Sequence, residues 1–163
     1  MNNNLVIENA RIVFRNFSGK EGKYNPPGRR NFCVLLDDDI SEPLKKEGWN
    51  VRYLNPRDQE ESPQAYLQVA VNYDYIPPKI FMVTKKGKTL LGEEEVGMLD
   101  WAELDNVDLV IRPYNWEVNG KKGVKAYIKS LYATIVEDEF EDKYYDIPDS
   151  SKPIEPIDDD IPF

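Results

Sequence analysis

Two short runs place cations and aromatic rings at every second position: Arg112, Tyr114 and Trp116 in one, Lys125, Tyr127 and Lys129 in the other. Residues two apart share a face of an extended strand. Between the runs lies Asn119-Gly120, the favoured pair for a type I′ two-residue hairpin turn. With that turn Arg112 faces Tyr127, Tyr114 faces Lys125 and Trp116 faces Gly123, and all six side chains fall on one side. The other side carries Leu109, Ile111, Ala126 and Ile128, an apolar set suited to a core. Rings and cations in this arrangement can hold a single nucleic-acid strand. Each base stacked on a ring contributes roughly 1–3 kcal/mol, and the cations hold phosphates and release counterions. Aromatic–cation pairs across strands also stabilise a sheet with no ligand at all, so the hairpin by itself admits both readings.

Two further basic stretches favour the first. From Arg11 to Arg30 there are six bases, Arg11, Arg15, Lys20, Lys23, Arg29 and Arg30, against the single acid Glu21, with Tyr24 among them. Lys79, Lys85, Lys86 and Lys88 lie in a span from Tyr75 to Gly92 that holds no acid. The expectation is that a barrel brings these stretches and the hairpin onto one groove. Catalytic chemistry finds little support. There is no histidine, the commonest general base and metal ligand. Cys33 is alone, so neither a disulfide nor a zinc cluster can form within the chain. Gly87-Lys88-Thr89 resembles the end of a phosphate-binding loop, but Met82 stands where that loop needs its first glycine. Asp37-Asp38-Asp39 and Glu93-Glu94-Glu95 offer oxygen ligands for magnesium, yet carboxylates on consecutive residues point in different directions. No cofactor, no metal and no enzymatic activity are expected.

A formal charge of −9 argues at first against nucleic acid, but its distribution removes the objection. Residues 137 to 163 hold eleven acids and two lysines, whereas residues 1 to 136 hold nineteen of each sign. The acidic stretch carries prolines and little to bury, so disorder is expected. It runs into Asp158, Asp159, Asp160, Ile161, Pro162 and Phe163, three carboxylates leading to an apolar tip. A charge run of this kind can serve solubility alone. A large ring at its end suits a docking anchor better.

Asp-Asp-Asp-Ile-Pro-Phe resembles the C-terminal tip of bacterial single-stranded DNA-binding proteins. The run from Arg11 through Asp39 resembles single-stranded DNA-binding proteins of the phage-encoded type. The resemblance implies an oligonucleotide-binding (OB) fold, a five-stranded Greek-key barrel. It also implies a tip that recruits replication, recombination and repair proteins, and OB domains that assemble into multimers, so a homo-oligomer is possible.

The elements that must position these residues read as mainly β. Leu5 to Phe17 is expected as one long strand, with Ile12 and Phe14 on one face and Arg11, Val13, Arg15 and Phe17 on the other. Ser18 to Arg30, rich in glycine and proline, is a loop. Asn31 to Leu36 reads as a buried strand. A short helix capped by Ser41 and stopped by Gly48 should follow, then a possible strand from Trp49 to Leu54 and a polar loop to Pro63. Residues 37 to 63 are read as a solvent-facing insertion. Gln64 to Tyr73, Lys79 to Thr84, Val107 to Val118 and Val124 to Val136 are strands, and Glu93 to Leu104 has helical spacing. The organisation expected is an OB domain over residues 1 to 136 with a disordered acidic tail over 137 to 163. The absence of a signal pattern or membrane-length run suggests the cytoplasm, that of the bacterial host for a phage-encoded protein.

The function expected is sequence-independent binding and protection of single-stranded DNA, with Arg15, Lys20, Lys23, Tyr24, Arg29, Arg30, Lys85, Lys86, Lys88 and the six hairpin residues as contacts. The alternative is an interaction module that uses the tip to engage host replication and repair proteins without binding DNA. A carboxylate-metal nuclease is the remaining, weakest reading.

Overall fold

The computed structural model describes residues 3–23, 25–55, 63–74 and 76–137. Tyr24, the acidic stretch from 138 onward and its tip lie outside the described residues. Among the described residues nine strands form one sheet: β1 (Leu5–Ile7), β2 (Ile12–Asn16), β3 (Arg30–Leu36), β4 (Val51–Leu54), β5 (Gln64–Val71), β6 (Lys79–Thr84), β7 (Gly87–Leu91), β8 (Leu104–Val118) and β9 (Lys121–Ile135). Helix α1 (Asp38–Glu47) follows β3, and a 3-10 helix (Val96–Asp100) precedes β8.

The main path through the sheet runs β1-β8-β9-β5-β3-β2. Its two ends are neighbours in the chain, so β1 and β2 act as two halves of one bent strand. β1 pairs antiparallel with β8 and β2 antiparallel with β3, which joins the two edges. Counted this way, five strands form the ring, and β5 and β9 are its parallel pair. This is the Greek-key order of an OB fold. β4 adds to β5, and the β6–β7 hairpin adds to β9 beyond the point where β5 leaves it.

Alternation along the strands decides what is buried. Ala65, Leu67, Val69 and Val71 of β5 face the core with Leu109, Ile111, Ala126, Ile128 and Leu131. The β8–β9 register agrees with the expected one: Arg112 opposite Tyr127, Tyr114 opposite Lys125, Trp116 opposite Gly123. Asn119 and Gly120 both take positive φ, 52° and 80°, as a type I′ turn requires. A register shift puts Ile111 opposite Ile128 but Val110 opposite Ser130. The extra residue at this bulge leaves Lys129 exposed on the strand's outer side.

Three expectations need correction. The segment from Leu5 to Phe17 is not one continuous strand. It breaks after Ile7, and the β2 register shifts between Val13 and Asn16. Phe14, at φ 51°, is 64% exposed, while Phe17 is fully buried and stacks on Phe32 with centroids 5.1 Å apart. Strict alternation fails because the strand must bend to reach both edges. The stretch from Glu93 forms only the short 3-10 helix, burying Val96 and Leu99. A Cβ on Gly97 would lie 3.0 Å from that of Ser18, and this close approach seats the helix against the β2 end. The helix after β3 begins at Asp38, so Ser41 is inside it and buried rather than at its start. Gly48 ends it in the left-handed conformation, at φ 96°.

The basic loop after β2 is latched by Asp100. Its carboxylate accepts from the Phe17 and Ser18 backbone N–H groups and from the Ser18 hydroxyl, the last at 2.6 Å. Arg15 Nη1 donates to the Leu99 and Ala102 carbonyls at 2.8 and 2.7 Å. Asp100→Ala would leave these partly buried donors unmatched. It should lower stability by about 1–3 kcal/mol, read as a lower urea midpoint at unchanged slope.

Candidate nucleic-acid interface

The nucleic-acid face of an OB fold is the outer surface of its second and third strands, bordered by the loops after strand one and between strands four and five. Here those strands are β3 and β5, and the loops are residues 17 to 29 and the Asn119-Gly120 turn. Two clefts meet on this surface. One, of about 470 Å³, lies between the Gly48–Asn50 segment and the Trp116 and Lys122–Ala126 edge of the hairpin, over Leu67, Gln68 and Ala70. The other, of about 390 Å³, runs between the Pro26–Arg30 end of the loop and Tyr73, with Lys125 and Tyr127 on its far side. Both are lined by Arg29, Arg30, Ala70 and Lys125, so they form one groove.

The groove's aromatics are held by cations. Arg112 lies 5.3 Å and Lys125 5.1 Å from the centre of the Tyr127 ring, with Tyr114 edge-on to that ring at 6.0 Å. Tyr114 is 52% exposed. Trp116 lies across Gly123, where a Cβ would sit 2.8 Å from the indole. No other residue fits there without displacing the ring. Arg30 is partly engaged, pairing with Glu93 at 3.1 Å beside the Tyr73 ring.

Among the described residues, three buried side-chain polar atoms have no hydrogen-bond partner: Arg30 Nε, Trp49 Nε1 and Tyr73 Oη. The residues that carry them all line the groove. Arg30 Nε and Trp49 Nε1 can only donate. Burial pushes the Tyr73 hydroxyl above its ordinary pKa, and the protonated hydroxyl can donate as well as accept. Each of these donors has almost no exposed surface and costs stability while it stays unpaired.

Trp49 and Tyr73 did not emerge from the sequence as contact residues. Trp49 belongs to a stretch read as facing solvent, yet it is 4% exposed, and the Val124 N–H donates to the Gly48 carbonyl at 3.0 Å. β4 pairs with β5, so this stretch forms a wall of the groove. The expected contacts divide. Arg29, Arg30, Trp116, Lys125 and Tyr127 line the groove, and Arg112 and Tyr114 brace Tyr127. Arg15 is turned instead toward backbone carbonyls. Lys20 sits over the exposed Trp101 ring at 4.2 Å. Lys23 is exposed on the loop. Lys85, Lys86 and Lys88 belong to the β6–β7 hairpin, beside the end of β9 remote from its turn. The loop and the β8–β9 hairpin meet at this groove, whereas the β6–β7 turn lies beside the far end of β9. Among the described residues there is no cluster of acidic, cysteine or histidine side chains fit to hold a metal ion, and no helix is long and apolar enough to cross a membrane.

Trp49→Phe shrinks a buried ring in the groove wall and should lower the urea midpoint modestly, while weakening binding of oligo-dT several-fold in a fluorescence-anisotropy titration on the folded protein. Gly123→Ala should push the Trp116 ring off the strand. Its expected effect is roughly tenfold weaker oligo-dT binding, the equivalent of one stacked base, together with a shifted Trp emission maximum in the free protein.

Comparison with known proteins agrees with this fold. No curated protein matches the chain. Among the solved structures that share its fold are three of the single-stranded DNA-binding protein from bacteriophage Enc34. The structure in complex with ssDNA gives a TM-score of 0.54 at 13% identity, covering 84% of this chain and 89% of that one. The uncomplexed protein gives 0.52 at 13% identity, covering 88% and 90%. A C-terminal truncation gives 0.52 at 12% identity, covering 83% and 87%. A family model described as "Putative phage ssDNA-binding domain" matches residues 1–162, and the chain belongs to that family.

Proposed function

We propose that this protein binds single-stranded DNA without sequence preference, laying the strand in the groove between the loop of residues 17 to 29 and the β8–β9 hairpin. The observation that carries the reading is the groove itself. Arg29, Arg30 and Lys125 line its length, Trp116 and Tyr127 offer ring faces, and it lies on the surface where OB folds take oligonucleotides. The similar Enc34 protein, solved with ssDNA, supports the same partner. Ring faces accept any base, and the cations address only the backbone. Such a site covers and protects exposed strands during phage DNA replication, recombination and repair in the host cytoplasm.

The acidic stretch supplies a second activity in this reading. Asp158 to Asp160 would meet the basic rim of a replication or repair protein while Ile161, Pro162 and Phe163 enter an apolar pocket on it. Tethered to the domain at an effective concentration on the order of millimolar, the same anionic segment competes with DNA for the groove. Bound DNA then releases it toward partners.

A titration with oligo-dT tests both parts. Binding should quench Trp fluorescence and weaken steeply with salt, as counterion release requires. The chain lacking residues 137 to 163 should bind more tightly at low salt, with the difference fading as salt rises. No quenching in either form would reject DNA binding. Equal affinity of the two forms at low salt would reject competition by the tail.

A further inference from the structure

The outer side of β9 does not end at the groove. Past Tyr127 the bulge exposes Lys129, and the strand goes on to Tyr132, which is 37% exposed. There β6 runs parallel to β9 and sets Phe81 beside Tyr132. The two rings stack with centroids 5.0 Å apart and planes 11° from parallel. Lys88, from β7, holds its ammonium 4.8 Å from the Phe81 ring and 5.7 Å from the Tyr132 ring. Rings and a lysine on the outer face of strands repeat the chemistry of the groove, about 16 Å farther along β9 at ~3.3 Å per residue.

We propose that single-stranded DNA leaving the groove continues along the outer face of β9, over Lys129, and reaches a second platform where Phe81 and Tyr132 offer a stacking surface and Lys88 a phosphate contact. This rests on the DNA-binding reading of the groove and extends its footprint. It also gives the β6–β7 turn, outside the groove, a part in binding. Lys129 is the stepping stone, because the bulge leaves it exposed between Tyr127 and Tyr132. The backbone opposite Tyr132 belongs to Asp108, whose carboxylate is engaged by the Asn9 N–H at 2.8 Å. The strand would therefore pass on the β6 side of Tyr132, where the lysine is. The reach also fits the wide range of site sizes of OB folds, about 4–16 nucleotides depending on the protein and its binding mode.

The experiment is a length series. Oligo-dT of about 5 to about 20 nucleotides, bracketing that range, is titrated against the full chain, the Phe81→Ala/Tyr132→Ala double variant and Lys88→Glu. The shortest oligomers, which the groove alone accommodates, should bind all three proteins alike. Long oligomers should bind the double variant about tenfold more weakly than the unaltered chain, the equivalent of one stacked base, and Lys88→Glu should lower the salt slope for long oligomers only. Lys88→Glu changes an exposed side chain on a hairpin and gives a reading even if the double variant misfolds. Affinities unchanged at every length would overturn the platform while leaving the groove intact. That is also the result expected if this face takes a partner protein instead. Equal losses at every length would overturn it too, since the substitutions would then be acting on the fold. Failure of the unaltered chain to bind any length would reject the reading on which the platform rests.

Discussion

The pairing of β8 with β9 through a two-residue turn is the constraint on which this molecule depends. A shift of one residue would exchange the two faces of the hairpin. It would bring Lys125 and Tyr127 inside and put Val124, Ala126 and Ile128 out, costing both core and groove. Asn119-Gly120 prevents that slip by taking the positive φ values that a tight I′ turn needs. β9 then pairs with β5 and β6 on its other edge and bonds to the α1–β4 connection, so an error in this one register would spread through the sheet.

Closure of the ring imposes a cost on the N-terminal strand. It must serve β8 with one half and β3 with the other, and no straight strand can do both. The bend shows in the break after Ile7, the shifted register in β2 and the positive φ of Phe14. Beyond the bend the chain is anchored rather than left loose. Phe17 is sunk against Phe32, and the Asp100 carboxylate gathers the next donors. The basic loop thus leaves the barrel from a fixed point, and its Pro26–Arg30 end returns to the groove at the start of β3.

Charge is divided by position. The nineteen acids of residues 1 to 136 balance its nineteen bases, and the net −9 falls on residues 137 to 163. Within the groove the balance is local as well. Glu93 holds Arg30 beside Tyr73, and cations over Tyr127 keep its ring in place. Such cations hold the groove's rings in the free protein and, in the function proposed, meet phosphates as well.

Much of this is legible in the sequence by itself. Alternation and the Asn-Gly pair set the strands expected from Gln64 to Tyr73, from Val107 to Val118 and from Val124 to Val136, their buried faces and the partners of Arg112, Tyr114 and Trp116, because these are local properties with a period of two. The six-residue tip and the division of charge are equally plain. Tertiary structure alone decided which distant segments share a surface. Lys85, Lys86 and Lys88 look like the other basic stretches in composition, but parallel pairing of β6 with the far end of β9 sets them apart from the groove. Trp49 lies in an acidic, polar stretch, yet the return of the chain after α1 buries it in the groove wall. Arg15 alternates as a surface cation should, but a strand that bends to close a ring turns it toward the carbonyls of Leu99 and Ala102. In each case the deciding contact joins residues far apart in the chain, which no local pattern encodes.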